Sequence, residues 1–165
     1  QKLIKKWYYL DIEKCLAPDS ERRDAILALP ESKRLPTSNG VIDWSTGEEI
    51  NDVLYFEQRV ESHHIFPVSW CKNQGIDPKK YNSLVNRTPL SAKTNKKIGS
   101  KSPTAYLKQF EREGISSNKL DEMLRSHAID PEMLRRDDFE GFFVARTQAL
   151  MQLIAKAMGK SLTNN

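Results

Sequence analysis

At 165 residues, 38% hydrophobic and 29% charged, the chain is long enough for one compact domain with its own core, and its composition is ordinary for a soluble protein. No apolar run approaches the roughly 18 residues that a membrane-spanning helix needs, which argues against a membrane partner. Only Cys15 and Cys71 are present, and two distant cysteines without a signal-peptide pattern read as reduced and cytoplasmic, with a disulfide between them the open alternative.

The chain starts at Gln1, without an initiator Met and inside what reads as a helix, so it is expected to be a piece of a longer protein. Leu3, Ile4, Trp7, Leu10 and Cys15 stand at mostly helical spacing up to Pro18, and Asp19 or Ser20 can cap a second helix that Pro30 ends. Residues 31–39 read as loop. Gly40–Trp44 and Glu48–Asn51 flank Ser45-Thr46-Gly47, which predicts a hairpin. Leu54 to Ile65 alternates as a strand does; Trp44, Tyr55 and Phe56 are read as core.

A short helix is expected from Ser69 to Gly75, and Asp77-Pro78 is a cap with proline at the first helical position. Arg87 to Leu90 reads as a second strand. Ser91 caps a helix over Ala92 to Ile98, which Gly99 closes. Ser102-Pro103 opens a helix to about Arg112, another spans about Asn118 to Ser126 with His127 as a cationic cap at its end, and Asp130-Pro131 starts a short one. The last, Asp138 to Met158, carries Phe139, Phe142, Phe143, Leu150, Leu153, Ile154 and Ala157 as an apolar stripe. A polar tail follows.

Within this frame one stretch stands out. His63-His64, followed by Ile65 and Pro67 and later by Asn86 and Asn95, resembles the HNH endonucleases, whose site is a two-stranded ribbon closed by one helix, the ββα-metal arrangement. The resemblance implies that His63 and Asn95 hold a divalent cation, that His64 is the general base and that Asn86 orients it. H-H-I-F-P, the run K-T-N-K-K-I-G-S-K-S-P-T-A-Y-L from Lys93 to Leu107, and R-S-H-A-I from Arg125 to Ile129 extend it. They are similar to the C-terminal nuclease regions of bacterial proteins with an upstream ParB-like domain, several of them restriction systems.

The match covers roughly residues 60–160, and residues 1–59 resemble nothing nameable. With the element pattern above, the expectation is an α+β domain: a helical segment over 1–39, a ββα-metal core over 40–101, helices over 102–159 packed on that core, and a tail over 160–165. The implied activity is metal-dependent hydrolysis of DNA to 5′-phosphate and 3′-hydroxyl ends, as the effector of a restriction or anti-phage protein whose upstream domain supplies recognition. RNA stays open as a substrate.

Chemistry supports this reading independently of the resemblance. Phosphodiester hydrolysis needs a nucleophile made from water near neutral pH and something to neutralise charge on the phosphate. Imidazole supplies the first and a cation the second. One amide oxygen and one imidazole make a sparse site that suits Mg²⁺ or Mn²⁺, with Ni²⁺ or Zn²⁺ also compatible with an imidazole ligand. Because side chains alternate along a strand, the two histidines are expected at a twisted strand end or a bulge. Glu61, two residues before His63, reads as a surface ion-pair partner before an extra ligand.

Charge distribution points the same way. The net charge is +4, yet Pro78 to Phe110 contains no Asp or Glu and eight basic residues: Lys79, Lys80, Arg87, Lys93, Lys96, Lys97, Lys101 and Lys108. The remaining 18 basic residues face all 22 acidic ones. Such a concentration beside the His pair is expected where phosphates are held, with Arg87, Lys93, Lys96, Lys97 and Lys101 as the gripping groups. Two rivals remain: a nucleic-acid-binding module that keeps the ribbon without turnover, and a structural metal site, which would need four closed ligands where two good ones are found.

Overall fold

The computed structural model describes residues 41–50 and 61–157. All of them fall in one compact unit, residues 36–165. In chain order the elements are β1 (Glu61–His64), α1 (Val68–Asn73), α2 (Pro78–Tyr81), a 3₁₀ turn (Leu84–Asn86), β2 (Arg87–Leu90), α3 (Ala92–Ile98), α4 (Pro103–Arg112), α5 (Ser117–Ser126), α6 (Pro131–Arg135) and α7 (Phe139–Ala157). The architecture is α+β: one small antiparallel ribbon among helices. No helix among the described residues is long and apolar enough to cross a membrane.

The helix boundaries follow from local chemistry. Asp77, Ser91, Ser102, Ser116 and Asp130 each accept a hydrogen bond from a backbone N–H of the first turn they precede, which satisfies donors that a helix start leaves open. Pro78, Pro103 and Pro131 occupy first-turn positions, where a missing N–H costs nothing. Gly99, at φ 55°, ends α3 in a conformation that suits glycine. α1 starts one residue earlier than the serine signal at Ser69 suggests, with Pro67 as its N-cap.

β1 and β2 pair in regular antiparallel register: Glu61 opposite Leu90, Ser62 opposite Pro89, His63 opposite Thr88 and His64 opposite Arg87. A proline is tolerated in β2 because both strands of a two-stranded ribbon are edges. Burial alternates along β2, with Thr88 and Leu90 inside, so one ribbon face looks into the core. The expected hairpin over residues 40–51 is, in its described part, a short one: Ile42 and Glu49 form an antiparallel bridge, Asp43 N–H donates to Glu48 O at 2.9 Å and Ile50 N–H to Val41 O at 2.7 Å, and the Asp43 carboxylate braces the turn between them. The predicted strand residues 54–60, with Tyr55 and Phe56, lie outside the described residues, as do the helices expected before residue 40.

The core runs from the ribbon into the C-terminal helices. Trp44, Ile65, Phe66, Leu90, Ile98, Tyr106, Phe110, Leu120, Leu124 and Phe142 are all buried. Phe66 is its hub, with ring centroids 5.2 Å from Trp70, 5.2 Å from Phe139 and 5.0 Å from Phe142. An aromatic ring in such surroundings stabilises by roughly 3–5 kcal/mol relative to alanine. The C-terminal stripe is only partly core: Phe139 and Phe142 are buried, whereas Leu153 is 39% exposed. Cys71 is a buried thiol whose pKa burial pushes up to about 11; Cys15, the other half of the disulfide alternative, lies outside the described residues.

Candidate active site

His63 and His64 are the last two residues of β1, at a strand end as alternation requires, and the register through them is regular, without a bulge. Regular alternation assigns the two positions to opposite faces of the ribbon, so one site for both rings requires the strand to twist at this end. His63 shares its face with Thr88 and Leu90, the buried residues of β2, and His64 shares the other with Arg87. Immediately downstream, Ile65 and Phe66 are fully buried. The pair thus leaves the ribbon along a chain path anchored in the core two residues later.

His64 is half-buried, and its Nε2 is covered and makes no hydrogen bond. Burial, and then the Arg87 charge, hold its pKa below the ordinary histidine value, while a hydrogen bond with the Asn82 side chain acts the other way. The ring is neutral near pH 7 and keeps unspent accepting capacity on Nε2, one requirement of a general base; the other, contact with water, needs the cover over Nε2 to open. A covered ring nitrogen without a partner is costly in a purely structural residue.

Asn86 is completely buried and uses its whole side chain. Its Oδ1 accepts from Phe66 N at 2.9 Å, and its Nδ2 donates to Phe66 O at 2.9 Å and to Tyr81 O at 3.0 Å. Its backbone carbonyl accepts from Ile65 N at 3.0 Å. Asn86, expected to orient the His64 ring, bonds the main chain two residues after it; the side chain that acts on the ring's pKa is Asn82, four residues before Asn86. Both Nδ2 protons are engaged and Oδ1 accepts one bond in a fully buried setting, so Asn86 acts on the main chain.

Asn95 lies one turn inside α3, half-buried, in the row Ser91, Thr94, Asn95 and Ile98 whose other members are buried. α3 packs against β1. Ribbon, helix and His pair therefore follow in the order β, β, α, with Asn95 on the helix side. Among the described residues no group of three His, Cys, Asp or Glu converges as a metal cluster. Any cation here would have His63 and Asn95 as protein donors and would complete its shell with water or substrate oxygens, which suits a hard ion with few protein ligands.

The helix α3 is fixed by a residue that sequence patterning missed. Asp43, 2% exposed, accepts at Oδ1 from Ser45 N, Thr46 N and Thr46 Oγ1, and from Thr94 Oγ1 at 2.5 Å; its Oδ2 accepts from Ser91 N at 2.8 Å. Burial alone would raise its carboxyl, but hydrogen bonds from Thr94, Ser91 and Ser45 outweigh that and hold it low. The signal was present as Asp followed closely by Ser-Thr-Gly, a side-chain-capped turn.

His127 does stand at the end of α5, but not as a cation. Its Nε2 lies 2.9 Å from the Ile42 carbonyl, which can only accept, so Nε2 carries the proton and Nδ1 accepts from the Thr88 hydroxyl at 2.6 Å. Burial lowers its pKa to about 4, with Arg146 adding to the effect and Ile42 and Asp43 opposing it. Arg146 was also missed. It is 4% exposed on α7, with Nη1 donating to Val85 O at 2.7 Å and Arg87 O at 2.9 Å and Nη2 to His127 O at 3.2 Å. An arginine in line with Phe139, Phe142 and Leu150 on an otherwise apolar helix face was the available clue.

The basic stretch is less uniform in space than in sequence. Lys97 pairs with Glu113 at 2.5 Å and Lys80 with Glu140 at 2.6 Å, both acids coming from outside the acid-free window. Lys101 donates to the Lys97 carbonyl at 2.7 Å. Lys93 and Lys96 are exposed on α3, and Arg87 is half-buried opposite His64.

No protein-family profile and no solved structure matches the chain. It is 37% identical over 91 residues, half of this chain, to an uncharacterised protein of Methanocaldococcus jannaschii. The match covers 15% of that archaeal protein's length.

Proposed function

We propose that this domain is a metal-dependent endonuclease of the HNH class that hydrolyses DNA phosphodiester bonds. The observation that carries the reading is His64: a neutral imidazole at the end of β1 whose covered Nε2 has no hydrogen bond, in a β-β-α segment that presents Asn95 from the following helix. His64 takes the proton of the attacking water at Nε2. Asn82 steadies the ring, and Asn86 holds the backbone of the turn that carries it. Arg87 lies opposite His64, where it keeps the base neutral and meets the anionic phosphate. His63 and Asn95 hold the cation, Mg²⁺ or Mn²⁺ before Ni²⁺ or Zn²⁺, which when bound neutralises charge on the scissile phosphate and the departing 3′ oxygen.

Lys93 and Lys96 contact the nucleic-acid backbone without reading sequence, since α3 offers phosphate contacts and not base contacts. Recognition, in a restriction or anti-phage setting, comes from an upstream domain of the same polypeptide. Incubation of the chain with supercoiled plasmid and Mg²⁺ or Mn²⁺ should produce nicked or linear DNA, and His64→Ala should not. Equal cleavage by His64→Ala would sink the reading. Metal-independent binding without cleavage would favour the non-catalytic module.

A further inference from the structure

Arg146 lies far from the His pair in sequence, on the last described helix, yet its hydrogen bonds end on the backbone around the candidate site. The two carbonyls to which Nη1 donates, Val85 O and Arg87 O, belong to the residues on either side of Asn86. Asn86 in turn grips Phe66 through N and O, and Ile65 N through its own carbonyl. Arg146 Nη2 donates to His127 O, the residue whose ring is bonded to Thr88, the cross-strand partner of His63. One guanidinium therefore ties together the 3₁₀ turn, the start of β2 and the end of α5.

The placement of a guanidinium here is not explained by packing alone. A side chain chosen only to fill space between Phe142 and the ribbon would be apolar, because taking a guanidinium out of water carries a desolvation cost that good hydrogen bonds must offset. Its planar fork satisfies carbonyls that a strand entry and a helix end would otherwise leave bare. Lysine has one charged nitrogen and cannot reach all three in the same geometry. Phe142, with its ring centroid 6.0 Å from the guanidinium carbon, steadies the group's position.

We infer that Arg146 is a positioning residue for the candidate active site: through the carbonyls of Val85 and Arg87 it holds Asn86, and through Asn86 it sets the turn that carries His64. The inference rests on the proposed nuclease reading for its consequence in turnover, but the mechanical link can be measured without it.

The test compares the intact chain with Arg146→Lys, Arg146→Gln and, as a control for lost core stability alone, Leu120→Ala, a fully buried position on α5. Backbone and side-chain amide NMR would follow hydrogen exchange of Phe66 N–H and the Asn86 Nδ2 protons. Far-UV circular dichroism would confirm that each variant is folded. Exchange at these protons should quicken at least tenfold in Arg146→Gln and less in Arg146→Lys, while Leu120→Ala at matched stability leaves them near wild type. In the cleavage assay, kcat should fall at least tenfold with KM little changed, because the base is misplaced while phosphate contacts remain. Unchanged exchange in Arg146→Gln, or equal acceleration in Leu120→Ala, would overturn the positioning role. If Arg146→Gln does not fold, Arg146→Lys and the control still decide between these outcomes. Should the wild-type chain fail to cut DNA, the nuclease reading falls and the exchange result still judges Arg146.

Discussion

Thr88 donates its hydroxyl proton to Nδ1 of His127 at 2.6 Å, and that bond, with Nε2 on the Ile42 carbonyl, fixes a neutral imidazole between β2 and the 41–50 turn. The neutral state has a thermodynamic signature. His127 has its pKa lowered from 6.5 to about 4 by burial. The unfolded chain therefore binds the extra proton first as pH falls. Stability from this residue is fully present above about pH 6.5 and is lost progressively as pH drops toward 4. The shift corresponds to about 3 kcal/mol. Urea unfolding at pH 7, 5.5 and 4.5 should show that loss, and His127→Gln should flatten it. The slope that persists in the variant belongs in part to His64, whose pKa is also lowered by burial and by Arg87.

Asp43 should matter more to stability than any other polar residue of its turn. Its two oxygens satisfy Ser45 N, Thr46 N, Ser91 N and the hydroxyls of Thr46 and Thr94. Asp43→Asn turns an NH₂ toward donors that need an acceptor, and Asp43→Ala leaves several of them bare. Losing hydrogen bonds to a charged acceptor and leaving buried donors unmet costs about 2–4 kcal/mol. Chemical denaturation at pH 7 measures it; a loss below about 1 kcal/mol would mean that water replaces the carboxylate without penalty.

The lysines of α3 should not contribute equally to nucleic-acid binding. Lys97 is engaged by Glu113, whereas Lys93 and Lys96 are exposed. Each phosphate contact adds about −0.9 to the slope of log K against log salt. Lys93→Gln and Lys96→Gln should each flatten the slope by roughly that amount, and Lys97→Gln by clearly less. Fluorescence anisotropy with a labelled duplex across a salt series reads this directly. Equal effects at all three positions would mean that Glu113 releases Lys97 when DNA binds.

How much of this was legible in the sequence depends on the range of the interaction that decides each feature. Caps and prolines act within four residues, so Ser91, Ser102 and Asp130 placed their helices correctly, and β2 and α3 were found to the residue. The wiring around these elements was not legible. Asn86 reaches 20 residues back to Phe66, Asp43 reaches 51 forward to Thr94, and Arg146 reaches 61 back to Val85. Those partners are backbone groups or hydroxyls, which carry no sequence signature of their own. The apparent uniformity of the basic stretch failed for the same reason, because Glu113 and Glu140 reach it only after folding.

The roles of the two adjacent histidines are separable by substitution because each has its own cross-strand neighbour. His63 sits over Thr88 and His64 over Arg87, so removing one ring leaves the other's surroundings in place. If His64 is the base and His63 a ligand, His64→Ala should lower cleavage by at least two orders of magnitude, the upper part of the usual range for losing a general base, while Mn²⁺ affinity measured by calorimetric titration changes little. His63→Ala and Asn95→Ala should each weaken Mn²⁺ binding by tenfold or more and reduce cleavage in proportion, with partial recovery at high metal concentration. His64→Ala should show no such recovery. The turn itself should survive all three substitutions, since Asn86 holds Phe66 by its backbone and asks nothing of either ring. If His64→Ala loses Mn²⁺ as completely as His63→Ala, the assignment of base and ligand to the two faces is wrong, and both rings belong to the metal.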